Sequence, residues 1–247
     1  MSRRIGLIVP SSNVTMETEL PELFSRRAER FTFHSARMRM TTVSAEALAA
    51  MDAHSDRCAV ELADADCDAL AYACLVAVMA AGPGAHARAG SRLTEVAGGQ
   101  TPVVTSAGAL LEGIRALGAR RVAMITPYAP ALTAKVIDYL ADARIEVVDS
   151  ISLSVTDNRE VGRLDPDQLV GLTDRLNLAQ AQALVLSACV QMPSLTAIEA
   201  AQQRTGLPTL SAATATAREL LISLGLDPVI PGAGALLAGD SAALVAA

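Results

Sequence analysis

The sequence predicts an α/β protein built from two pseudo-symmetric Rossmann-like modules. Each module has a four-stranded parallel sheet, and the active site is expected in the cleft between them. Three observations support that reading. First, strand-like and helix-like runs alternate along all 247 residues, the pattern of parallel sheets joined by right-handed crossovers. Second, the two halves repeat. RIGLIVPSSN resembles RRVAMITPYA, DALAYACLVA resembles QALVLSACVQ, and TPVVTSAGALLEGIRALG resembles LPTLSAATATARELLISLG. Pro10 therefore pairs with Pro127, Cys74 with Cys189, and Ser106 with Ser211. Cys74 follows Pro10 by 64 positions and Cys189 follows Pro127 by 62. A shared period of about half the chain signals two like units packed together. Third, 51% of residues are hydrophobic, yet there are only three Phe, three Tyr and no Trp. That aliphatic excess suits sheets buried on both faces.

The elements follow in order. Residues 5–9 form a continuous apolar strand, and Pro10 to Asn13 a polar turn after it. Residues 15–30 read as a helix with Met16, Leu20, Leu23 and Phe24 on one face, and residues 31–40 as a second strand. Ser44 is an N-cap candidate for one helix running to about Asp64, with Glu46 in its first turn. Residues 69–73 are a third strand ending at Cys74, and Gly82-Pro83-Gly84 marks a turn or the start of a helix. Residues 102–105 are a short strand, and Ser106 opens a helix ending near Gly118. The second half repeats this order. It has a strand at 122–126, a helix at 132–143, a strand at 145–153 and a loop at 156–160. Asp165-Pro166 opens the next helix, as an N-cap followed by Pro does. A strand at 183–187 leads to Cys189, and a last strand at 208–210 precedes a helix from Ser211. The expected division is residues 1–105 with about 215–247 as one module and 106–214 as the other.

Composition excludes several function classes. The net charge of −6 and a pI near 5.1 oppose nucleic acid as a partner, because phosphate binding needs a basic face. No apolar run reaches the ~18 residues of a membrane span. The opening MSRRIGLIVPSSN lacks the h-region and cleavage site of a signal peptide, so a cytoplasmic location is expected. Four cysteines in such a chain are not a disulfide framework. Cys58 and Cys67 match no zinc spacing and read as small buried hydrophobes. No metal or other cofactor is expected, and His34, His54 and His86 are scattered.

In open parallel sheets, ligands bind beyond the carboxyl ends of the strands. Ser11, Ser12, Asn13, Cys74 and Ser106 fall there in the first half, and Tyr128, Asn158, Cys189 and Ser211 in the second. A pseudo-twofold axis brings Cys74 and Cys189 to opposite walls of one cleft. Both precede segments able to start helices, whose dipoles lower a nearby thiol's pKa. A thiolate is a strong nucleophile and a usable base. Such thiolates, if exposed, are also oxidisable.

The strings IVPSSNVTMETELP, FHSARMRM, YACLVAVMAAGPG, TSAGALLEG, ITPYAP, DNREVG, LSACVQMPSL and LSAATA together resemble the maleate cis-trans isomerases of the aspartate/glutamate racemase superfamily. The likeness runs from Ile8 nearly to Gly232. The paired cysteines alone indicate only the superfamily; the VPSSN opening with YACLVAVM, TPY, DN and SACVQMPS is more specific. The resemblance implies a nucleophile at Cys74, which adds to an olefinic carbon of maleate. It implies a proton-handling thiol at Cys189. Carboxylate-binding positions fall on Asn13, Tyr128 and Asn158. Leu75, Val76 and Val190, beside the two thiols, join the substrate-binding set. Rotation about the new single bond and loss of the thiolate then give fumarate.

Three alternatives remain at this point. An amino-acid racemase needs an ammonium acceptor, and no acidic candidate lies beside the motifs. An arylmalonate decarboxylase needs only the second-half cysteine. A non-catalytic binding protein for small dicarboxylates leaves two facing thiols unexplained. The partner expected is a small dicarboxylate, and the aliphatic excess makes a homo-oligomer, dimer or larger, plausible.

Overall fold

The computed structural model describes residues 2–40 and 45–239. The first sheet contains β1 (Arg3–Pro10), β2 (Phe31–Met38), β3 (Ala69–Tyr72) and β4 (Val103–Thr105). The second contains β5 (Arg121–Thr126), β6 (Glu146–Ser152), β7 (Ala183–Ser187) and β8 (Thr209–Ser211). The orders are β2-β1-β3-β4 and β6-β5-β7-β8, and every pairing is parallel. The repeat seen in the sequence is thus a repeat of topology. β3 and β7 are buried along their whole length, which explains their unbroken apolar runs.

The helices in chain order are α1 (Met16–Ser25), α2 (Ala45–Asp52), α3 (Ser55–Asp64), α4 (Leu75–Ala80), α5 (Ala85–Val96) and α6 (Ser106–Ala116). Then come α7 (Pro130–Asp142), α8 (Asn158–Val161), α9 (Pro166–Leu172), α10 (Ile198–Thr205) and α11 (Ala212–Ser223). α6 and α11, the equivalent helices of the two halves, pack against each other. Gly113 permits the contact, since a Cβ there would lie 3.1 Å from both Ala215 and Leu210 side chains. The Thr216 hydroxyl donates to the Ser106 hydroxyl at 3.0 Å across the same seam.

Four elements differ from the expectation. α1 ends at Ser25 rather than at residue 30. The single helix ending near Asp64 is two helices, α2 and α3. The Ser55 hydroxyl donates to the Asp52 carbonyl at 2.6 Å, a local bond that competes with helix continuation. The break lets the Asp52 carboxylate receive the Tyr72 hydroxyl and face Arg92. Ser44 itself lies outside the described residues. Residues 156–160 are not all loop: the Asp157 carboxylate accepts the Arg159 amide at 2.9 Å and caps α8. α7 starts two residues earlier than expected because Pro130 takes its first turn.

The last described segment returns to α1. The Arg27 guanidinium donates to the carbonyls of Asp227 at 2.8 Å and Val229 at 2.5 Å, and Arg26 to that of Gly232. Gly234 closes this return with φ 79° and ψ 178°, a combination open essentially to glycine alone. A Cβ there would meet Ile198 at 2.5 Å and the Thr209 carbonyl at 3.1 Å. Gly234→Ala is expected to lower stability by about 2–4 kcal/mol. Urea unfolding checks this, and an unchanged midpoint would contradict it.

Candidate active site

The strand ends converge as the parallel topology requires. β1 delivers Pro10 and, past its turn, Asn13; β3 delivers Ala73 and Cys74; β5 delivers Tyr128; β7 delivers Cys189. Together with Met40, Leu75, Val76, Asn158, Val190 and Gln191 they line one small cavity of about 30 Å³, room for about two waters. All eight residues singled out from the sequence stand on its walls: Cys74, Cys189, Asn13, Tyr128, Asn158, Leu75, Val76 and Val190.

Both thiols are buried, at 4% and 6% exposure. The lowered thiol pKa expected from the sequence does not hold for either cysteine. Burial pushes the Cys74 thiol up to about 12, although the Ala77 amide favours its thiolate; Cys189 and Asp52 push it further. Burial likewise raises Cys189, against the Tyr128 hydroxyl and the amides of Gln191 and Met192. The Gln191 amide donates to the Cys189 sulfur at 3.3 Å. Only Cys74 opens a helix, α4; Cys189 enters a turn, and the next helical residues begin at Leu195. At Cys74, desolvation of a charge outweighs the helix end, because one short helix offers only a partial charge while burial removes the whole hydration shell. A charge on Cys189 raises Cys74 further, so repulsion disfavours a double thiolate.

The polar walls are fixed donors. Asn13 is fully buried; its Oδ1 accepts the Met16 amide at 3.2 Å and its Nδ2 donates to the Val190 carbonyl at 3.4 Å. Asn158 Nδ2 donates to the Ser12 hydroxyl. Each carboxamide retains a second N–H. The Tyr128 hydroxyl is held at Cys189, and burial raises its pKa well above the ordinary value. Among the described residues, no lysine or arginine lines the cavity.

Other expectations did not reach the site. Ser106 bonds Thr216 instead. Ser211 caps α11 through the Thr214 amide at 3.2 Å. Ser11 bridges the backbone of Met40. Cys58 and Cys67 are buried and unpaired, as small hydrophobes. Sequence reasoning missed Gln191, whose Nε2 donates to the Asn158 carbonyl and joins the two second-half walls. Its place two residues after Cys189 was the only signal.

A two-thiol cavity between two parallel sheets of identical order defines the class to which the comparisons also point. The arylmalonate decarboxylase family model matches residues 5–237. Maleate isomerase of Geobacillus stearothermophilus is 55% identical over 244 residues, covering 96% of this chain and 97% of that protein. A solved cysteine-to-alanine variant of the maleate isomerase Iso from Pseudomonas putida S16, with maleate, superposes with a TM-score of 0.95. It is 49% identical, and the match covers 97% of this chain and 99% of that one. A cysteine-to-serine variant of the Nocardia farcinica maleate cis-trans isomerase carries a covalently bound succinylcysteine intermediate. It has a TM-score of 0.94 and 51% identity, with coverage of 97% and 100%. The chain belongs to the maleate isomerases, within the arylmalonate decarboxylase family of the aspartate/glutamate racemase-like superfamily.

Proposed function

We propose that this protein converts maleate to fumarate without a cofactor, with Cys74 as nucleophile and Cys189 as the thiol that delivers and recovers a proton. The observation that carries the reading is the meeting of both sulfurs with Asn13, Tyr128 and Asn158 in one cavity. The buried sulfurs hold one shared proton between them in the reactive state. The Cys74 thiolate adds to one olefinic carbon, and the π electron pair moves onto the neighbouring carbon and its carboxylate. The Asn13 and Asn158 amides stabilise that growing charge. The Cys189 S–H protonates the carbanion and leaves a succinyl thioether. The former double bond is now single and rotates. Cys189 removes the proton again, the C–S bond breaks, and Cys74 departs as thiolate.

Tyr128 has one hydroxyl proton and cannot bond both Cys189 and a substrate carboxylate. When it turns to the carboxylate, Cys189 loses a donor and holds its proton more tightly. That favours the tautomer with the charge on Cys74.

The cysteine pair supports an isomerase over the racemase and decarboxylase readings, and a binding protein leaves it unexplained. The same reading takes residues 1–105 with about 215–247 as one module and 106–214 as the other. The packing of α11 on β3 and β4 and the arginine clamps of α1 support it. No helix among the described residues is long and apolar enough to cross a membrane. We infer a cytoplasmic homo-oligomer, the free cysteines suiting a reducing compartment.

Incubating chelator-treated protein with maleate is expected to replace its olefinic proton resonance with that of fumarate. Unchanged maleate would overturn the proposal. Asn158→Asp, nearly isosteric, sets a negative charge against the dianion and is expected to lower kcat/KM by about 10²-fold. Steady-state kinetics check this, and wild-type values would remove Asn158 from carboxylate binding.

A further inference from the structure

Among the described residues, the mechanism leaves one buried carboxyl unused. Glu19 lies on α1 and is 6% exposed, yet it does not line the cavity. Its Oε1 reaches from the first half of the chain to the second. There it accepts the backbone amides of Ser194 at 2.5 Å and Leu195 at 2.7 Å. Those amides end the turn that begins at Cys189. The same turn is held at two further points by residues just before Glu19: Asn13 on the Val190 carbonyl, and Thr15 on the Gln191 carbonyl at 2.7 Å. Glu19 Oε2 and the Ser194 hydroxyl are both buried without a hydrogen-bond partner among the described residues.

A carboxylate is an unusual choice for such an anchor. A neutral acceptor holds two amides without the desolvation cost of a charge. Glu19 is the carboxylate whose charge acts on the Cys189 sulfur. We propose that Glu19 is a positioning residue for Cys189: it fixes the turn that carries the thiol, and its negative charge adds to the burial that holds the proton on that sulfur. The inference rests on the reading of Cys189 as the proton-handling thiol. It supplies a reason why that thiol is the donor, because a neighbouring anion opposes formation of a second one.

Burial raises the Glu19 carboxyl to about 7, against the Ser194 and Leu195 amides, with Glu22 on the same helix adding to the rise. The other charges nearby are closed pairs: Arg37 with Glu17, Arg26 with Glu22, and Arg218 with Glu219 on α11. Glu19 is therefore neutral below about pH 6 and charged above about pH 8, and its grip on the Cys189 proton appears only in the upper range.

The test reads the acidity of Cys189 directly, apart from isomerase activity. In a Cys74→Ala background, iodoacetamide alkylation of Cys189 is followed by peptide mapping from pH 5.5 to 9.5, with Glu19 or with Glu19→Gln. Glutamine keeps an oxygen for the two amides and turns an N–H toward Ser194. Equal rates are expected near pH 6. About threefold or faster alkylation is expected in Glu19→Gln at pH 8 and above. Parallel profiles at all pH values would overturn the proposal. Should Glu19→Gln not fold, the Glu19 protein alone decides. Its logarithmic rate must rise with less than unit slope while Glu19 ionises, and a unit slope throughout would contradict the inference. Full activity in Cys189→Ala would instead defeat the reading of Cys189 and leave the alkylation result standing.

Discussion

Cys74→Ala is expected to lower kcat for maleate by about 10⁴-fold or more, the scale on which removal of a covalent nucleophile acts. Without the sulfur, the double bond of maleate is never opened to rotation, and among the described residues no thiol other than Cys189 lines the cavity. Cys189 stands on the same walls, but it belongs to the other half of the chain. It reaches the substrate from the opposite side and lacks a second thiol to trade its proton with. The fold is expected to survive. Cys74 caps a six-residue helix without a side-chain bond to it, and alanine fits a site already lined by Ala73 and Leu75. Steady-state rates with circular dichroism as a folding control check the result. A residual rate within tenfold of wild type would mean that the nucleophile is elsewhere.

Cys189→Ala is expected to lower kcat by about 10³-fold, nearer the range for a lost general acid and base. Its effect differs in kind. The Cys74 thiolate still adds, but the carbanion has no positioned donor and mostly reverts. The fraction that water protonates is then stranded, because among the described residues no other thiol remains on the cavity wall to take the proton back. Tyr128 does not substitute: burial raises its pKa far above the ordinary value, so it is a poor base source. Rapid-quench experiments are expected to show slow accumulation of bound carbon with little fumarate. Loss of turnover with no accumulation would assign Cys189 to binding rather than proton transfer.

Much of the fold was legible because its signals are local. The apolar runs within β1, β3, β5 and β7 are buried, and strands covered on both faces read as near-continuous hydrophobic runs. The repeat placed both cysteines at equivalent strand ends, and strand ends in parallel sheets form sites. What escaped is non-local or competitive. The α2–α3 break depends on Ser55 bonding Asp52 and on a partner at Tyr72, far along the chain. Asp157 read as loop because a cap and a turn use the same residue types. Acidification of the thiols was argued from helix ends alone. Their burial, which reverses the sign, is a property of two modules closing together that neither module's sequence contains. Nothing in the sequence marks Glu19, and only the packed interface shows that it faces inward.

The central claim is that one sulfur bonds to carbon while the other moves a proton. The most direct measurement is the site of the adduct formed when Cys189→Ala protein is incubated with maleate, digested and mapped by mass spectrometry. The expected result is a gain equal to one maleate on the peptide containing Cys74, absent from those containing Cys58 and Cys67. An unmodified Cys74 peptide, or the same gain on another cysteine, would contradict it.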